Sequence, residues 1–289
     1  MSSSTVTYAT NELIEFLRKA LIEDIGSGDL TTNSIVQDTH TSRALIIAKS
    51  ELVLAGMPFV KELFLLFDRD IRFHILKEEG SEIKKGETIA EINGKTATIL
   101  TCERTGLNIL QRLSGIATLT RRFVEKVKGT GVKILDTRKT TPLMRYLEKY
   151  AVRIGGGFNH RFGLFDGVLI KDNHIKAVGG IKKAIDLVKN NKAFHHLLKI
   201  EVETKDMEEV KEALEAGADI IMLDNMDIEE IKKAVRYIKG HSQRVLIEAS
   251  GNVNLENVRA IAETGVDFIS VGMLTHSAGA VDISLKIVD

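Results

Sequence analysis

From residue 132 onward the chain alternates short apolar runs with amphipathic helical stretches, and this rhythm constrains its fold more than any other feature. Such alternation is the signature of βα units laid around a parallel sheet. The runs occupy 132–135, 167–170, 197–202, 220–223, 245–247 and 268–271, and a seventh or eighth strand would have to be irregular. Between the later runs, Met207, Val210 and Leu214 form one core stripe and Ile228, Ile231 and Val235 another. Ala216-Gly217 and Thr264-Gly265 supply natural helix stops. At 289 residues the chain has room for an α/β barrel and a smaller companion domain.

The first hundred residues read differently. After Asn11, a candidate N-cap, Leu13, Ile14, Leu17, Leu21 and Ile22 recur at helical spacing up to Gly26. Residues 44–48 and 71–76 read as strands, 58–67 as a helix, and Lys85-Gly86 and Asn93-Gly94 as turns, which together predict an α/β sandwich. Lys95, beside the second turn, has the placement of a carrier-domain lysine, with an ordinary solvated charge as the simpler reading.

Charge and cysteine content remove whole classes of function. Forty Lys and Arg balance forty Asp and Glu, so no global field exists to grip a nucleic-acid backbone. One cysteine, Cys102, forms neither an intrachain disulfide nor a cysteine-rich zinc site, and suits a reducing compartment. The polar first ten residues lack the order of a signal peptide, and no apolar run approaches the roughly 20 residues of a membrane span. A cytoplasmic protein is expected.

Parallel barrel strands deliver their C-terminal ends to one rim, where active sites of this architecture are built. Here the ends read Asp136-Thr137-Arg138-Lys139, Lys171-Asp172-Asn173, Glu203-Thr204, Asp224-Asn225, Glu248-Ala249-Ser250-Gly251, and Gly272 leading to Thr275-His276. Helix capping accounts equally well for Asp172, Asn173, Thr204 and Asn225, but Lys and Arg are poor N-caps. Arg138, Lys139, Arg161 and Lys171 beside Glu203 and Asp224 suit a polyanionic substrate, with carboxylates left to organise a divalent ion or sugar hydroxyls. Gly155-Gly156-Gly157 lets backbone approach a ligand just before His160-Arg161. No GxSxG elbow, HExxH helix or Cys-His pair is present, which leaves catalysis by positioning and charge stabilisation. A Schiff-base role for Lys171 is the competing chemistry, although it needs fewer cations.

These segments extend into long matches with a known family. EDIGSGDLTT from Glu23, ERTGLNILQRLSGIAT from Glu103, DTRKTTP from Asp136 and KYAVRIGGGFNHRFGLFDGVLIKDNH from Lys149 resemble quinolinate phosphoribosyltransferases. So do EVE from Glu201, LDN from Leu223, EASG from Glu248 and SVGMLTHS from Ser270. The resemblance implies transfer of phosphoribose from phosphoribosyl pyrophosphate to quinolinate with decarboxylation. The products would be nicotinate mononucleotide, pyrophosphate and carbon dioxide, in de novo NAD biosynthesis.

It also implies an incomplete, seven-stranded TIM-like barrel over 112–275, with an N-terminal α/β sandwich over 1–111 that the tail 276–289 rejoins. Glu203, Asp224, Lys139 and Lys171 are the implied catalytic groups. Substrate contacts are expected from those four and from Arg104, Thr137, Arg138, His160, Arg161, Ser250, Gly251, Asn252, Val271, Gly272, Met273 and His276. Magnesium would arrive with the substrate diphosphate and meet Glu203 and Asp224. The family pattern makes the protein a homodimer or larger homo-oligomer, with Arg104 completing a neighbour's site. Related molybdenum-transport accessory proteins offer a non-enzymatic alternative, which the retained cations disfavour. Two positions depart from the pattern: Leu143 and Asn252 stand where glycine is frequent. Asn252 tolerates a left-handed backbone and so can preserve the turn, whereas Leu143 touches no expected charged contact.

Overall fold

The computed structural model describes residues 3–191 and 198–288. In chain order it holds α1 (Ser3–Ile25), α2 (Leu30–Ile35), β1 (Thr41–Ala48), β2 (Leu52–Val53), α3 (Met57–Phe67), β3 (Arg72–Ile75), β4 (Glu82–Ile83), β5 (Thr88–Lys95) and α4 (Thr96–Lys126). There follow β6 (Lys133–Leu135), α5 (Arg145–Ile154), β7 (Val168–Ile170), α6 (Asp172–Val178), α7 (Ile181–Asn190), β8 (Ile200–Thr204), α8 (Met207–Glu215), β9 (Ile220–Asp224) and α9 (Ile228–His241). The chain ends with β10 (Leu246–Ser250), α10 (Val258–Ala262), β11 (Phe268–Ser270), α11 (Met273–His276) and β12 (Ile283–Val288). Among the described residues no helix is long and apolar enough to cross a membrane.

Two compact units result. The first contains Met1–Leu119, Pro142–Gly155 and Ala278–Asp289, the second Thr120–Thr141 and Gly156–Ser277. The division falls after Leu119, inside the continuous 31-residue helix α4, rather than at 111/112. Residues 142–155 were also assigned to the barrel by sequence, yet α5 belongs to the first unit. There the wholly buried Glu148 carboxylate accepts from Arg112 Nη2 at 2.8 Å, and Arg112 Nη1 donates to the Ala278 carbonyl in the tail. A buried ion pair outweighs chain order in setting such a boundary, since breaking it strands a charge.

The first unit carries an antiparallel sheet in the order β12-β1-β5-β3, so the C-terminal strand pairs with β1, Ala48 opposite Ile283. The buried face of α3 presents Phe59, Val60, Leu63 and Phe64, and Gly106 lets α4 approach Val60 and Phe64. Three expectations change here. Helix α1 begins at Ser3 rather than after Asn11, because apolar periodicity marks the turns that pack, such as those of Leu17 and Leu21, and not where helical hydrogen bonding starts. Asn93 and Gly94 form no turn: they lie in β5 opposite Arg43 and Ser42, and a Cβ at Gly94 would stand 2.5 Å from Ile71 Cδ1. Lys95 therefore ends a strand that runs straight into α4, and the carrier-domain reading falls with the hairpin.

The second unit is built on six parallel strands in the order β6-β11-β10-β9-β8-β7. Leu197, the first residue of one expected run, lies outside the described residues, and β8 opens at Ile200. Phe158 adds a single parallel bridge to Leu135, receiving the Asp136 N–H and donating to the Ile134 carbonyl, so the segment after the glycines lies along the β6 edge as an irregular strand. The helices cover the sheet as their patterns require. Helix α9 buries Ile231, Ala234, Val235 and Ile238 and starts with a capping box between Asp227 and Glu230. In α8 the fully buried pair is Val210 and Ala213, with Met207 and Leu214 only half-buried, one position of rotation from the expected stripe.

Candidate active site

Strand register sets out the acidic side of the site. Glu203 pairs with Met222, which pairs with Glu248, and Asp224 at the end of β9 pairs with Ser250 at the end of β10. Side chains two apart on a strand share a face, so Glu201 and Glu203, Met222 and Asp224, and Glu248 and Ser250 form successive layers. Burial, and then the like charge of Asp224, hold the Glu203 carboxyl above its ordinary range. The Lys171 ammonium, 3.9 Å from Glu203 Oε2, opposes that shift. Two carboxylates held this way favour an arriving cation or positive carbon, because either relieves their mutual repulsion.

The loops after β9 and β10 are locked together. Asn225 and Asn252 both adopt left-handed backbone, φ 55° and 50°, and Asn252 Nδ2 donates to Asn225 Oδ1 at 3.0 Å. Gly251, at φ 91°, lies so close to the Asn225 side chain that a Cβ would overlap it. Asn252 thus keeps the turn in the place of a glycine. Leu143 also takes a left-handed conformation, at φ 65°, and its side chain is 87% exposed with no packing to offset the strain.

The cationic side is organised around Asp136. This fully buried carboxylate receives Asn159 Nδ2 at 2.5 Å and the backbone N–H of His160 at 2.9 Å, fixing the segment that carries Arg161. Arg161 Nη1 donates to the Gly167 carbonyl at 2.9 Å, while its buried Nε has no hydrogen-bond partner. Burial, and then the like charge of Arg138, pull the Arg161 pKa down. Two guanidinium groups near enough to repel one another in a partly desolvated place suit the binding of an anion.

The His160 ring is held by protein groups on both of its nitrogens. Its Nδ1 accepts the Arg161 backbone N–H at 2.8 Å, which leaves the proton on Nε2, 3.0 Å from Glu201 Oε2 and 3.6 Å from Glu248 Oε2. Both ring nitrogens therefore face protein groups.

Of the remaining expected residues, Lys139, Gly272 and His276 stand together: a Cβ at Gly272 would lie 3.1 Å from Lys139 Cδ and 3.2 Å from the His276 ring. Thr275 Oγ1 donates to the Lys139 carbonyl at 2.8 Å, and Thr137 Oγ1 receives the Lys139 N–H at 3.1 Å. The Val271 N–H reaches the Leu135 carbonyl, and Met273 opens α11. Arg104 lies in the first unit, on the exposed face of α4. Sequence reasoning missed Asp136, Glu201 and Glu248 as separate groups. Their signal is a carboxylate at or within an otherwise apolar strand, where an ionisable group must find a partner.

A parallel βα sheet whose strand ends combine an acid pair with a desolvated arginine pair defines a barrel-type enzyme for anionic small molecules. The family profile for the quinolinate phosphoribosyl transferase C-terminal domain matches residues 116–286, and that for the N-terminal domain matches 29–114. The chain belongs to the quinolinate phosphoribosyl transferase family. It is 46% identical over 276 residues to a probable nicotinate-nucleotide pyrophosphorylase [carboxylating] of Bacillus subtilis, covering 96% of this chain and 93% of the relative. It is 41% identical to a mitochondrial quinolinate phosphoribosyltransferase [decarboxylating] of Nicotiana glauca, over 97% and 83% of the two chains. The solved nicotinate-nucleotide pyrophosphorylase of Francisella tularensis superposes with a TM-score of 0.90 at 41% identity, covering 96% of each chain.

Proposed function

We propose that this protein transfers phosphoribose from phosphoribosyl pyrophosphate to quinolinate with loss of carbon dioxide, forming nicotinate mononucleotide and pyrophosphate on the path to NAD. The observation that carries this reading is the half-buried Arg138–Arg161 pair, whose mutual repulsion an aromatic dicarboxylate relieves. Lys139 and Lys171 add point charges after β6 and β7. The ring nitrogen forms its bond to the anomeric carbon as the bond to pyrophosphate breaks, and positive charge grows on the sugar. Glu203 and Asp224 stabilise that charge directly or through the ribose hydroxyls. Cleavage of the bond to the 2-carboxylate then releases carbon dioxide, and the ring carbon takes up a proton.

Ser250, Gly251, Asn252 and the residues 271–273 form the phosphate end in this reading, with His276 beside them. The Glu203–Asp224 pair suits magnesium, since both offer hard carboxylate oxygens and their repulsion raises Glu203. The ion, held by these two and by phosphate oxygens, would neutralise the diphosphate charge. The working form is a cytoplasmic homodimer or larger homo-oligomer in which Arg104 contributes to a neighbour's site. Incubation with quinolinate, phosphoribosyl pyrophosphate and magnesium tests the reading: nicotinate mononucleotide should form, and its absence would refute the assignment. Borohydride trapping with substrate tests the Schiff-base alternative at Lys171, for which no adduct is expected.

A further inference from the structure

We propose that Asp29, together with Asp24, positions Arg104: the two carboxylates hold residues 24–32 against the turns of α4 that carry that arginine. The proposal rests on the reading above that Arg104 contributes to a neighbour's site. The segment belongs to EDIGSGDLTT, a long family match to which the reaction as described assigns no role. Its chain path has a local cause. Gly26 at φ 54° and Gly28 at φ 138° reverse the chain between α1 and α2, in conformations that side chains rarely adopt. The reversal brings Asp24, in the last turn of α1, and Asp29, the N-cap of α2, to one side of α4.

Each acid meets a threonine of α4. Thr101 Oγ1 donates to Asp29 Oδ2 at 3.2 Å, and Thr105 Oγ1 donates to Asp24 Oδ2 at 3.3 Å. Asp29 is itself anchored, receiving the Thr32 N–H at 2.9 Å and the Thr32 hydroxyl at 2.6 Å. Those bonds, with the one from Thr101, hold its carboxyl below the ordinary range. Positions 101 and 105 are one helical turn apart, and Arg104 follows the first by three residues and adjoins the second. The bracket therefore closes on the stretch of helix surface from which Arg104 projects. Thr32 and Thr105 are buried beneath it, whereas Arg104 is exposed. The Arg104 guanidinium makes no hydrogen bond or salt bridge among the described residues, so both acids are spent on the bracket and neither neutralises it.

A long guanidinium side chain loses rotamer freedom when it binds, and a wall that restricts it beforehand lowers that cost. Misplacement of its helical turn on the ångström scale is also costly for a bound reactant. The same segment carries apolar area in solvent: Leu30, next to Asp29, is 82% exposed, and Ile22, two residues before Asp24, is 67% exposed. A neighbouring copy whose site receives Arg104 would bury that area.

The test uses the full-length protein. Asp29→Ala removes the carboxylate and Thr101→Val the hydroxyl that meets it, and each should lower kcat/KM for quinolinate about tenfold. Thr101→Ser keeps the donor and should stay within about twofold of wild type. Mixed with Lys171→Ala under subunit exchange, Asp29→Ala should gain activity, from about a twentieth to about a quarter of wild type, because one site of the mixed dimer is then intact. Mixed with Arg104→Ala it should gain nothing, since both lesions lie on the contributed side. A general folding defect does not sort by partner in this way, and should Asp29→Ala fail to fold, Thr101→Val enters the same mixtures. Near-wild-type activity of Asp29→Ala and Thr101→Val, equal damage from Thr101→Ser and Thr101→Val, or a gain with Arg104→Ala instead of Lys171→Ala would overturn the proposal. The control is the mixture of Arg104→Ala with Lys171→Ala. If that pair fails to recover with exchange verified by mass, the shared-site reading itself fails; if it recovers and Asp29→Ala with Lys171→Ala does not, the positioning role alone is wrong.

Discussion

The buried Asp136 carboxylate and the backbone N–H of His160, 24 residues apart, are joined by a hydrogen bond of 2.9 Å that ties the end of β6 to the irregular strand after the glycines. With Asn159 on its second oxygen, Asp136 is the point at which fold and site meet.

In Asp136→Asn one acceptor oxygen becomes an NH₂ group facing a donor. Losing a charge-assisted bond and burying a mismatched donor should cost about 2–3 kcal/mol. Denaturant titration should show the midpoint fall, and kcat/KM should drop at least about tenfold as Arg161 loses its anchor. An unchanged midpoint would mean that the segment is held by other contacts.

Glu203 is raised by burial and by Asp224, so its ionised form strains the folded state. The stability associated with its proton is present at low pH and is lost as pH rises through the folded-state pKa. Glu203→Gln should therefore melt higher than wild type at pH 7, by a few degrees if the gain is ~1 kcal/mol, with the difference vanishing at acidic pH. The same variant should lower kcat by at least about tenfold, as removal of one transition-state interaction does. If only the KM for phosphoribosyl pyrophosphate rises, the charge-stabilising role is wrong.

Leu143→Gly should relieve a left-handed backbone at an exposed position and raise stability by roughly 0.5–1 kcal/mol, with activity unchanged. Gly251→Ala should do the reverse, since φ 91° and the Asn225 side chain leave no room for a methyl group. A loss of activity in Leu143→Gly would give that strain a functional part.

Much of this architecture was legible from residue patterns because it rests on periodicity. The six parallel strands, the α9 stripe and the stops at Gly217 and Gly265 follow from spacing that water enforces locally. What stayed hidden depends on partners distant in sequence. Asn93-Gly94 has turn composition, yet Ile71 packs where a side chain would stand, so the glycine serves a close approach within a strand. The placement of α5 follows the buried Glu148–Arg112 pair, which no local pattern announces. At the site, Glu203, Asp224 and Lys171 were readable as polar strand ends. Glu201 and Glu248 lie two residues before Glu203 and Ser250 on their strands, and only the three-dimensional meeting with His160 shows that they share one environment.

The role proposed for Arg104 is tested by mixing Arg104→Ala with Lys171→Ala, each inactive alone, under conditions that allow subunit exchange. If each site draws on both subunits, a mixed dimer contains one intact site, and activity should return to about a quarter of wild type for random pairing. Verified exchange with no recovery would place both residues in one subunit's site.

The central claim is that the arginine pair reads two adjacent carboxylates, and side-by-side turnover of quinolinate and nicotinate tests it most directly. Nicotinate lacks the 2-carboxylate and forgoes its contact with the arginines, a defect worth several orders of magnitude where a site is built for the missing group. The account predicts a kcat/KM for quinolinate at least about a thousandfold higher than for nicotinate. Equal turnover of the two would contradict it.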